Sequence, residues 1–150
     1  MKRVLHASAG TLALATITAF WVSTVTSELW GDPAVIAAVK ASILKGMLVL
    51  IPALMIAGLS GRSLAGQRHG PLVAAKVRRM KIVAANGLLI LLPSAFYLAG
   101  KASAESFDTW FVLVQGLELA AGALNATLLA LTLRDGLRLT GKLRAQPASV

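Results

Sequence analysis

The stretch from Trp110 to Leu133, WFVLVQGLELAAGALNATLLALTL, decides the fold. A bilayer core needs about 20 apolar residues of helix, and this run supplies them with a single ionisable side chain, Glu118. Within it Gln115, Glu118, Gly122 and Asn125 recur at steps of 3, 4 and 3, which places them on one seam of a helix. A spanning helix turns such a seam away from lipid, so it should face other helices.

Working outward, three further apolar runs are long enough to span. The expected spans are 4–26, 35–59, 82–100 and 110–133. Their Leu and Ala content favours helix, and the alternation required of a membrane barrel is absent. The chain has 150 residues, 57% hydrophobic and 14% charged, which excludes an ordinary soluble domain, where roughly a quarter of residues are charged. The reading is an all-α membrane protein, one domain over residues 1–150, built as a four-transmembrane-helix bundle. No internal repeat is evident. The absence of cysteine removes thiolate metal sites and disulfides.

The charge is +9, from 15 Lys and Arg against 6 Asp and Glu. Twelve of the fifteen basic residues fall at the start, between the second and third spans, or after the fourth. Lys and Arg in short loops stay cytoplasmic, so both termini are expected in the cytoplasm, with Trp30, Trp110 and Trp21 toward the outer interface. The composition suits a bacterial inner membrane with anionic headgroups. Nucleic acid is excluded as a partner, because no stacking aromatics or known module accompany the basic residues. A Lys2-Arg3 start followed by an apolar run also describes a signal peptide. However, a run of about 22 residues exceeds the usual 7 to 15, and Ser23 to Ser27 is a poor cleavage site, so a retained first helix is expected.

The basic connection 60–81 carries Gly58, Gly61, Gly66 and Gly70 around it, and Pro71 suits the first position of a helix. Lys76, Arg78, Arg79 and Lys81 are expected at lipid headgroups or an acidic partner. Inside the spans, Lys45 lies about 18 Å along its helix and Glu118 about 15 Å along its own, both from the outer side, which predicts a Lys45–Glu118 pair. Lys40, about 10 Å along, is expected to reach the interface unaided. Asn86 adds a hydrogen-bonding group, Ala38, Ser42 and Gly46 offer a small-residue contact face, and Pro52 and Pro93 should bend their helices.

His6 and His69 are the candidates for cofactor chemistry. His6, inside a span, could ligate haem b, whereas His69 in Arg68-His69-Gly70-Pro71 should be solvated. Met47, Met55 and Met80 are better explained by apolar packing than by copper. The opening Leu5-His6-Ala7-Ser8-Ala9-Gly10, the four-span layout and Ala38-Val39-Lys40 resemble small bacterial inner-membrane proteins, distantly the copper-resistance D-like families. That resemblance implies His6 as a ligand; the glycine pair and tryptophan that follow the histidine in those families are missing here.

No carboxylate pair, activated nucleophile or phosphate loop is evident, so independent catalysis is not expected. The expected role is a small accessory or anchor subunit of a larger membrane complex, or a homo-oligomer. The alternatives are a small-solute or proton-coupled transporter using Lys45 and Glu118, with Gln115, Asn125 and Asn86 along its path, and a haem-binding electron-transfer subunit using His6.

Overall fold

A computed structural model describes residues 2–66 and 70–139. Every regular element in it is helical: α1 (Lys2–Trp30), α2 (Pro33–Ala65), α3 (Pro71–Asn86), α4 (Leu92–Ser103) and α5 (Thr109–Leu139). Five π-helical residues, Gly87–Leu91, join α3 and α4 into one rod. The chain thus makes four long apolar helices, each sufficient in length and composition to cross a membrane. They run up and down, with α1 on α2 and α5, α4 on α2, and α3 on α5.

Local sequence explains the boundaries. Asp32 caps α2 by accepting from the Val35 N–H at 2.9 Å, and Pro33 occupies the first turn, where its missing N–H costs nothing. Pro71 opens α3 as expected, preceded by Gly70 at φ 150°, a backbone conformation that side chains resist. Asp108 caps α5 by accepting from Phe111 N–H at 2.9 Å, and it also pairs with Lys101. Both contacts favour its charged form and hold the carboxyl below the ordinary 3.8. Its contribution to the cap is therefore complete above that value and is lost as pH falls through the lowered one. A carboxyl NMR titration should place the Asp108 midpoint below 3.8. An ordinary midpoint would mean that the cap and ion pair do not persist in solution.

The π turn has a visible cause. Pro93 has no N–H to offer the Leu89 carbonyl and its ring crowds that group, so the preceding turn widens and Leu92 N–H reaches back to Gly87 O. Pro52, by contrast, lies within an α2 that continues on both sides.

The basic connection expected over 60–81 is much shorter than that. Helix α2 runs on to Ala65 and α3 begins at Pro71, so Gly58 and Gly61 are helical residues. His69, Arg68, Lys142 and Arg144 lie outside the described residues. We call the end bearing Gly31, Asp32 and the 104–108 connection the hairpin end, and the other the terminal end.

Packing inverts that of a soluble bundle. Leu48, Leu59, Leu88, Leu89 and Phe96 are exposed, whereas Thr24, Lys40, Asn86, Gln115, Asn125, Thr132 and Asp135 are buried. An apolar cluster of Ala13, Ile17, Leu50, Ala53, Val83 and Leu129 occupies the interior, and a second, of Ile36, Leu98, Ala102 and Phe111, joins α2, α4 and α5. The small-residue face expected on α2 is only partly used: Ala38 and Ser42 are exposed, while at Gly46 a Cβ would sit 2.4 Å from the Phe20 ring of α1.

Candidate functional site

Helix α5 carries the polar spine of the bundle. The expected seam of Gln115, Glu118, Gly122 and Asn125 does face inward, and the same rhythm continues through Leu129 and Thr132 to Asp135, all three buried. Helix α3 answers with its own 3, 4, 3 stripe, Lys76, Arg79, Val83 and Asn86. Three polar groups result, spaced along the bundle.

The first lies toward the hairpin end. Lys40 Nζ donates to Glu118 Oε2 at 2.8 Å, and Gln115 Nε2 donates to the same oxygen at 3.3 Å. Lys40 is 1% exposed, and Glu118 is the carboxylate its ammonium meets. The expected pair with Lys45 is not formed. Lys45 is exposed, because it stands five residues, about 140° of helical rotation, from Lys40 on α2. The buried stripe Ile36, Lys40, Ile43 and Leu50 was the signal that selects Lys40. Glu28, in the last turns of α1, lies close enough to feel both Lys40 and Glu118. Trp21 does not reach outward as expected; it is half-buried and donates Nε1–H to Leu119 O at 3.0 Å. Trp30 and Trp110 are exposed. A cavity of about 50 Å³ is lined by Trp21, Thr24, Glu118 and Gly122 among apolar neighbours.

The second group is neutral. Asn86 Nδ2 donates to Asn125 Oδ1 at 2.8 Å and to Ala121 O at 2.9 Å, while Asn125 Nδ2 donates to Val83 O at 3.2 Å. The two amides lock α3 to α5.

The third lies toward the terminal end. His6 Nδ1 sits 3.0 Å from Ala57 O and 3.1 Å from Ser60 Oγ, and its Nε2 is 3.2 Å from Lys76 Nζ. A carbonyl only accepts, so Nδ1 carries the proton and Nε2 accepts from the lysine, giving a neutral ring. Gly61 makes room for it: a Cβ there would stand 2.9 Å from His6 Cε1. Arg79 donates to Asp135, which is 2% exposed and also faces Arg134. The headgroup set therefore divides. Arg78 and Lys81 are exposed, whereas Lys76 and Arg79 turn inward to His6 and Asp135. Asp135 was not singled out from sequence, although the α5 rhythm leads to it. Among the described residues no group of three or more His, Cys, Asp or Glu is placed to hold a metal.

No family model, curated protein or solved structure matches the chain.

Proposed function

We propose that this multi-pass chain is a small accessory or anchor subunit of a larger bacterial inner-membrane assembly, with both termini cytoplasmic. The supporting observation is how the interior polarity is used. Along α5 it is spent on neighbouring helices: Trp21 of α1 on Leu119 O, Lys40 of α2 on Glu118, and Asn86 and Arg79 of α3 on Asn125 and Asp135. Such pairing fixes one helix arrangement, while the cavity at Glu118 is far below the roughly 300 Å³ of a small-molecule site. The distribution of Lys and Arg supports the orientation and the affinity for anionic headgroups.

The test is extraction of tagged protein in native membrane discs, where it should travel with a larger membrane partner. Discs containing this chain alone would overturn the reading. Phosphatase fused after Lys101 should be active and after Arg68 inactive; the reverse would overturn the orientation.

The haem reading, and with it the copper-resistance D-like resemblance, would need Lys76 to leave His6, since both ring nitrogens are engaged. Protein purified from haem-replete cells is expected to show no Soret band. A band lost in His6→Ala would establish ligation instead. The transport reading draws on the buried Gln115, whose Oε1 has no hydrogen-bond partner while its Nε2 donates to Glu118, and pH-dependent solute flux in liposomes would favour it over an accessory role.

A further inference from the structure

Lys45 points outward from α2 and, among the described residues, has no hydrogen-bond or ion-pair partner. The span that contains it, Pro33–Leu64, has 32 residues and is about 48 Å long. Centred on a hydrocarbon core of about 30 Å, it places Lys45, about 18 Å from Pro33, about 9 Å inside that core. A lysine stem several ångströms long shortens this distance without removing it. An ammonium facing hydrocarbon at such a depth is costly, and it calls for an acidic partner.

The surface around it is continuous. Ala38, Ala41, Ser42, Leu48 and Val49 stand three, four or seven residues from Lys45 and are all exposed, so they share its side of α2. Ser42 keeps its hydroxyl proton on Ala38 O at 2.8 Å, and the small side chains at 38, 41 and 42 let another backbone approach closely.

A second copy of this chain does not supply the missing charge. The chain has six acidic residues. Glu118 and Asp135 are held by Lys40 and Arg79. Asp32 and Asp108 cap helices at the hairpin end, and Glu105 lies in the connection there. Glu28 stands in the last turn of α1, about 15 Å nearer that end than Lys45. Two α2 helices meeting on this face would instead oppose two ammonium groups.

We propose that this face of α2 docks a transmembrane helix of a different protein, one that carries an aspartate or glutamate level with Lys45. The inference rests on the accessory-subunit reading and gives it a surface and a partner chemistry. In low-dielectric surroundings that carboxylate accepts a charge-assisted hydrogen bond from the ammonium and so fixes the depth at which the two helices meet.

The experiment replaces Ser42 with photoreactive p-benzoylphenylalanine in the full chain, and separately Leu113 on the exposed side of α5, and irradiates native membranes. Crosslinked peptides are sequenced by mass spectrometry. The probe at 42 should capture an apolar segment of another protein that includes Asp or Glu. Lys45→Met should lower that yield about tenfold or more, as removing one member of a desolvated ion pair does, whereas Lys45→Arg should retain it. Since Lys45→Met leaves the isolated chain's stability intact, lost capture is not lost folding. No adduct, an adduct with this chain itself, or a captured segment without an acidic residue would each refute the docking face. So would a yield unchanged by Lys45→Met, which would assign the ammonium to lipid headgroups. A partner that travels with the chain in native discs but is reached only from position 113 sinks this inference alone. Discs holding this chain alone sink the accessory reading with it.

Discussion

Lys40→Met should lower the stability of the bundle by about 3 kcal/mol or more, read as a lower midpoint in sodium dodecyl sulfate titration of the protein in mixed micelles. The substitution leaves Glu118, and Glu28 near it, without the only cation in their group. Glu118→Leu should cost less, because Lys40 then still has Glu28 within electrostatic reach. The double substitution should recover much of the loss, as an apolar pair of similar volume avoids burying either charge. Lys45→Met should stay within about 0.5 kcal/mol of the parent, as exposed substitutions usually do. Equal and additive losses from Lys40→Met and Glu118→Leu, with no recovery, would show that the two side chains do not depend on one another.

This contrast between Lys40 and Lys45 shows where sequence reasoning succeeds and fails. The four helices were legible because each apolar run is long enough to span and little else fits such composition. The α5 seam was legible because its polar residues keep helical spacing in an otherwise apolar run. Depth alone misassigned the ion pair: Lys45 and Glu118 match along the helix axis, but partners must also face each other, and a lysine stem several ångströms long lets Lys40 reach Glu118 from another level. The angular information was present in Ile36, Lys40, Ile43 and Leu50. The meeting of His6 with Lys76 had no local signal, since 70 residues separate them and only the α1–α2–α3 arrangement brings them together. Glu28 falls just beyond the expected first span of 4–26, whereas α1 continues to Trp30 and includes it, within electrostatic reach of Lys40.

The order of polar and apolar groups also bears on function. Between the Lys40–Glu118 group and the Arg79–Asp135 group stand Ile17, Leu50, Val83 and Leu129, all buried in one cluster. The spine along α5 is thus interrupted at Leu129, between Asn125 and Thr132. A hydrated path would have to displace that cluster, whereas a scaffold benefits from it, since the apolar belt supplies close packing and the polar groups fix which helix meets which.

The same logic makes Asp135 the second sensitive position. It is 2% exposed and is the sole acidic residue in a group containing Lys76, Arg79, Arg134 and Arg138. Asp135→Asn preserves shape and removes the charge, so it isolates electrostatics from packing; the expected loss is about 2 to 3 kcal/mol, at the low end for a broken buried pair because Arg79 remains 24% exposed. Asp135→Leu should be worse, since Arg79 then loses its acceptor altogether. Pairing it with Arg79→Leu should recover only part of the loss, because Lys76 still faces the vacated position and continues to lean on His6. This distinguishes the terminal end from the Lys40–Glu118 pair, where the cation has a second carboxylate in reach and the double substitution removes the central contact. Raising salt should change the Asp135→Asn deficit little, as buried pairs are weakly screened. A deficit under about 0.5 kcal/mol, or one that vanishes in high salt, would mark Arg79–Asp135 as a solvated surface pair and remove it from the polar spine.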